Sequence, residues 1–343
     1  MSTSPRSDDS ARVLTEPHTE RAPHLDAKFD STLFQCRDMI RGHREIRHLA
    51  HYGDGVFDFS VDWLDQSTRY PPAGPGRPHR HDLQRLGRAL SFTLDRMDRT
   101  LQEVRTGAMI RMVLHTRSGA AITNAVVPRR NLVGLVLDHP APSGTSDLLP
   151  RVTHVAAADR AMSALSTELR RLIRLRSTNP GGWEDVADEP AESEEPVGEP
   201  FTCTLTTPDQ DDAAVIEACR RAVRPSDLHF VAYCANNEVV FAADHLDNPT
   251  LGAFFTVLAV ATRRKFYQEF SRELSAVVVE LGRTVRGVLG SALERLVLDV
   301  EQGAVYYYRL RPGAYLVGVT LHQTRVSQAD ERLAAVAREF RND

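Results

Sequence analysis

The stretch RMVLHTRSGAAITNAVVPRRNLVGLVLD, Arg111–Asp138, returns later in the chain as RLVLDVEQGAVYYYRLRPGAYLVGVTLH, Arg295–His322. The two align without a gap at a spacing of about 184 residues, with roughly ten of about 28 positions identical, the mark of an internal repeat. Gly119 matches Gly303, Pro128 matches Pro312, and Leu132-Val133-Gly134 matches Leu316-Val317-Gly318. Working outward in the same register, RALS from Arg88 matches RELS from Arg272, and Phe57 matches Phe241. Downstream, ADRAMSALSTEL from Ala158 resembles ADERLAAVAREF from Ala329, after an extra HPAPSGTSDLLPRV in the first copy. The chain is therefore read as two copies of one small domain.

Composition bounds the rest. The chain has 343 residues, room for about two domains. It is 42% hydrophobic and 26% charged, with a formal net charge of −4. That balance gives no overall attraction to nucleic acid or anionic lipid. The four cysteines, Cys36, Cys203, Cys219 and Cys234, lack CxxC spacing and read as free thiols in a reducing compartment. The N-terminus lacks the apolar core of a signal peptide, and the longest apolar run, Ala253–Ala261, is too short to span a bilayer. A cytoplasmic protein without membrane insertion is expected.

Residues 1–27, rich in Ser, Pro and charge, read as a disordered tail, and 177–205 as an acidic Pro/Gly linker holding Trp183. Between and beyond them lie a first domain, 28–176, and a second, 206–343. Each reads as α-β-β-α-β-β-β-α. A short helix (Thr32–Ile40; Asp212–Val223) precedes a hairpin that turns at Gly53-Asp54-Gly55 or at Asn236-Asn237. A long helix follows, with apolar residues in steps of three and four: Leu86, Leu90, Leu94, Met97, Leu101 and Val104, then Phe270, Leu274, Val278, Leu281, Val285 and Val288. Three strands come next, beginning with Met109–Thr116 and Leu293–Val300. The last of each three is apolar on both faces, so helices should cover the sheet on both sides, with Gly134 and Gly318 allowing one to approach closely. The apolar run Pro249–Arg264 has only a Pro/Gly loop as its counterpart and suggests an added helical turn or an early start to the second long helix.

This order, and above all YYYRLRPGAYLVGVTLHQTRVSQADERLAAVAREF (Tyr306–Phe340), resembles the roadblock/LC7 family of profilin-like proteins. The first copy, from about Asp30 to Arg176, resembles it less closely. The resemblance implies an α+β fold, an α/β/α sandwich. Each copy would be a five-stranded antiparallel sheet with two helices on one face and the long middle helix on the other. It also implies pairing of copies through the third strand and the middle helix, and a non-catalytic role beside small Ras-like GTPases. An exposed third strand needs a partner, and a tethered second copy supplies one at high effective concentration. An intrachain pseudo-dimer is therefore expected, with Met109, Arg111 and Val113 of one strand paired to Leu293, Arg295 and Val297 of the other. Association of two chains through the same edges is the alternative.

No Walker loop, HExxH, GxSxG, paired CxxC or GxGxxG occurs, so neither an enzyme nor a cofactor is expected. His43, His48 and His51, and His79 and His81, cluster without convergent metal spacing and read as structural or solvated. Tyr306-Tyr307-Tyr308 reads as strand packing rather than a base-stacking platform. Arg88 and Arg99, matched by Arg272 and Arg283, lie opposite the apolar stripes and face outward. They are a solvated helix face or a partner surface repeated on both halves. The favoured reading is a regulator or scaffold for a small GTPase; the alternative is a cytosolic small-ligand sensor or interaction module.

Overall fold

The computed structural model describes residues 16–66, 80–137, 149–176, 198–209 and 212–341. The remaining parts of the tail and linker, with Trp183 and His79, lie outside them. The first half runs β1 (His18–Arg21), α1 (Asp30–Gly42), β2 (His48–Gly53), β3 (Val56–Asp62), α2 (Arg80–Gln102), β4 (Met109–Thr116), β5 (Gly119–Val127), β6 (Arg130–Val136) and α3 (Leu149–Leu172). The second repeats the order: β7 (Phe201–Thr204), α4 (Ala213–Ala222), β8 (Phe230–Ala235), β9 (Glu238–Asp244), α5 (Val260–Leu289), β10 (Leu293–Val300), β11 (Gly303–Arg311), β12 (Ala314–Thr320) and α6 (Val326–Glu339).

All the strands among the described residues join one antiparallel sheet of 12, in the order β1-β3-β2-β6-β5-β4-β10-β11-β12-β8-β9-β7. Turn chemistry sets the hairpins. Asp54 and Gly55, and Asn236 and Asn237, take positive φ (53° and 73°; 53° and 66°), which twists a tight turn to match its strands. Pro128-Arg129 and Pro312-Gly313 turn with positive φ at their second residues, 65° and 80°.

Each face of the sheet carries its own core. On one face α2 and α5 bury their apolar stripes, from Leu86 to Leu101 and from Phe270 to Val288, against Met112, Leu114, Leu296 and Leu298. On the other face α1, α3, α4 and α6 cover Val113, Ile122, Val297 and Tyr306. Fully burying one such side chain contributes roughly 1.5–3 kcal/mol. Gly134 and Gly318 lie beneath α3 and α6. A Cβ at Gly134 would stand 2.8 Å from Met162 Sδ, and one at Gly318 would stand 2.7 Å from Leu333 Cδ2.

Three expectations change. Among the described residues each half has six strands rather than five, because the segments read as tail and linker both supply one. Of the tail read over residues 1–27, the described part, 16–27, is ordered: β1 pairs along β3, with His18 opposite Asp62 and Arg21 opposite Phe59. Likewise β7 comes from the end of the linker and pairs along β9, with Phe201 opposite Asp244. Both are only four residues long and largely exposed, β1 as the polar HTER and β7 as FTCT with Phe201 and Cys203, so neither stands out in sequence. Backbone hydrogen bonds hold both along a sheet edge, and the Arg264 guanidinium also stacks on the Phe201 ring, 3.8 Å from its centroid. In the 249–264 region both alternatives occur. A 3-10 helix forms at Pro249–Phe255, and α5 reaches 30 residues where α2 has 23.

Candidate interaction surface and the seam between the halves

The two halves meet where β4 pairs with β10. Val113 lies opposite Val297, Met109 opposite Val300, Leu293 opposite Thr116, Arg111 opposite Asp299, and Arg295 opposite His115. The six seam residues read from the sequence thus lie on these two strands. Val113 and Val297 hold the same position in the repeat. So do Arg96 and Glu280, 184 residues apart, which bridge α2 to α5 at 2.9 Å. Equivalent residues meet in the sheet and again in the helix layer, so an approximate two-fold axis runs through both.

The outer face of the α2–α5 pair is a surface repeated on both halves. Arg88, Arg99, Arg272 and Arg283 are all exposed there, and the Arg99 guanidinium donates to the Asp95 carbonyl at 3.2 Å. Arg85 and Arg286 add further exposed cations. Phe92 (56% exposed) and Val279 (50%) supply apolar spots on the same helices. Of the nearby carboxylates, Glu280 is engaged by Arg96, Glu269 by Lys265, Asp82 by Arg85, and Asp98 by Gln102 and the Met109 amide, while Glu273 stands exposed. The face is thus basic with apolar spots, suited to a partner offering carboxylates around an apolar contact.

Beneath the opposite face, the seam holds buried charge. Arg111 is 0% exposed and Arg295 1%. Arg111 donates through Nε to Asp299 Oδ2 at 2.8 Å, and through Nη1 to Asp159 Oδ2 at 2.7 Å and Ser163 Oγ at 3.3 Å. Arg295 donates to Asp330, to the Tyr308 hydroxyl at 2.8 Å and to His115 Nδ1 at 2.6 Å. Tyr308 in turn donates to Asp330 Oδ1 at 2.7 Å, and Gln323 donates to Asp299 Oδ1 at 2.7 Å. These bonds form two groups, one around Arg111 and one around Arg295, and each ties the two halves together. Burial pushes the Asp299 carboxyl up to about 7 against the pull of Arg111, with Asp159 adding to the rise. Burial also raises Asp159, again opposed by Arg111.

Sequence reasoning named Arg111 and Arg295 but missed His115, Asp159, Asp299 and Asp330. A signal was present. Arg111 and Arg295 recur at one position of two mostly apolar strands, which also carry His115, Glu294 and Asp299, and a charge in such a strand needs a buried partner. The aspartates of the matching Ala158-Asp159 and Ala329-Asp330 were the available candidates.

The other singled-out residues are placed as follows. His48 is buried, and burial lowers its ring to about 4. His51 is buried against Asp58, 2.7 Å from its carboxylate, and half-exposed His24 reaches the other oxygen at 2.9 Å. His43 contacts Glu45, and His81 is exposed. Tyr306 and Tyr308 pack toward α6, while Tyr307 packs on the opposite face against Tyr315. Among the described residues, no group of three or more His, Cys, Asp or Glu side chains is arranged to hold a metal ion. Nor is any described helix long and apolar enough to cross a membrane. No protein-family model matches the chain, and no curated protein matches it significantly in sequence.

Proposed function

We propose that the protein is a non-catalytic regulator or scaffold, in which two roadblock/LC7-like domains form a single cytoplasmic platform for a small Ras-like GTPase. One observation carries the reading: the repeated basic face of α2 and α5, held rigid by a sheet that runs unbroken from one half into the other. A platform with doubled, outward guanidinium groups suits the acidic and apolar surface of a folded partner better than a small molecule. The partner brings the phosphate chemistry, and the platform holds or biases its nucleotide state.

The test is affinity capture from native lysate with GDP, GTP or neither. A GTPase retained in one nucleotide state supports the reading; an eluate without any GTPase ends it. The Arg88→Glu/Arg99→Glu variant should then lose capture by about tenfold or more with unchanged melting, as expected when interface arginines are reversed. Wild-type capture by this variant, and by Arg272→Glu/Arg283→Glu, would remove this face from the proposal.

A further inference from the structure

The buried charge at the seam is unequal. Three carboxylates, Asp159, Asp299 and Asp330, face two guanidinium groups, Arg111 and Arg295. The other polar groups facing them are neutral. His115 accepts from Arg295 through Nδ1, which fixes that nitrogen as unprotonated. The Tyr308 hydroxyl is shared between Arg295 and Asp330, and Tyr306 donates to the Val326 carbonyl at 2.8 Å. Ser163 and Gln323 complete the hydrogen bonds, and Asn124 lies opposite Arg111 on β5. At the end of the seam, Glu294 forms its own cluster with Arg341 and half-exposed Arg117.

Asp330 has its own cation in Arg295 and a hydroxyl donor besides. Asp159 and Asp299 both pair directly with Arg111, and Arg295 acts on Asp159 only from a distance. Two buried carboxylates competing for one guanidinium repel each other at low dielectric, and one is stabilised as the neutral acid. We infer that Asp159 and Asp299 together hold one proton in the folded protein, making the seam between the halves a proton-binding site that tightens in acid. Hydrogen bonding and burial weigh the two differently. Asp299 accepts at both oxygens, which suits a carboxylate, whereas Asp159 Oδ1 has no donor, which suits the acid. Burial, however, raises Asp299 to about 7. The proton therefore belongs to the pair and not to either residue.

The direction of the pH effect follows. A carboxyl whose folded value lies above its unfolded one binds more protons when folded. Its stabilising contribution is complete below about 4, falls as pH rises, and is gone above about 7. The halves are thus joined most firmly in mild acid and more loosely above neutrality.

The test is thermal unfolding of the full chain between pH 4.5 and 8.5 for wild type, Asp299→Asn and Asp159→Asn, with the side-chain carboxyl signals of 13C-labelled wild-type protein followed by NMR. An amide mimics the neutral acid. At least one variant should gain on wild type as pH rises, with a relative shift in melting temperature of about 3 °C or more across the range. One wild-type Asp carboxyl should titrate near neutrality. If both variants are destabilised equally at every pH, and every Asp carboxyl titrates below about 5, the seam holds no proton and the inference is overturned. The carboxyl titration decides the matter should either variant fail to fold.

Discussion

A single guanidinium illustrates how much one residue can organise. Arg111 holds two carboxylates from different elements, one on the partner strand β10 and one on α3. Removing it leaves both buried without a cation. Arg111→Met should therefore cost roughly 3–5 kcal/mol near neutral pH, because an orphaned buried charge is expensive while a lost ion pair alone is cheap. The sign with pH is set by the raised carboxyls. In the variant both take up protons more readily than in wild type, so the cost should shrink as pH falls. Urea unfolding of both proteins at pH 5 and pH 8 measures this. A cost independent of pH would mean that the two aspartates remain ionised throughout.

At the scale of elements, the contrast lies between strands held by side chains and strands held mainly by backbone. β4 and β10 are buried along their whole length, and both lie between helical layers. β1 is four residues of exposed or half-exposed HTER, fixed by pairing with β3 and by the nearby His24–Asp58 contact. Local opening follows buried apolar contact. In native-state hydrogen exchange the amides of His18–Arg21 should exchange well before those of Met109–Thr116. Equal protection would show that the edge strand is part of the cooperative core. The same contrast explains legibility. The long helices and the three-strand runs announce themselves through period and repetition. β1 has no apolar pattern, β7 alternates over only four residues, and the sheet edges that recruit them exist only once the rest has folded.

At the scale of the whole molecule, the pseudo-two-fold makes a further prediction. Arg96 and Glu280 meet across the axis on the outer surface. Arg96→Cys/Glu280→Cys treated with a short bifunctional thiol reagent should form a link inside one chain, migrating as a monomer in denaturing electrophoresis. A covalent two-chain product, persisting at high dilution, would mean that the halves pair between molecules instead. Cys36, Cys219 and Cys234 are buried, and the partly exposed Cys203 is replaced by serine in the same background.

By itself the sequence determined that the chain is a duplication, where its long helices and middle strands lie, and which helical arginines face outward. These are consequences of local period and of self-similarity, and both are present in the linear text. Only the tertiary structure decided that the outer edges of the sheet are capped by short strands from the tail and linker. It alone also brought Asp159, Asp299, Asp330 and His115 around two buried arginines. The physical reason is the same in both cases. A backbone edge and a desolvated charge each demand a partner, but the demand is met by proximity in space, which residue spacing along the chain does not encode.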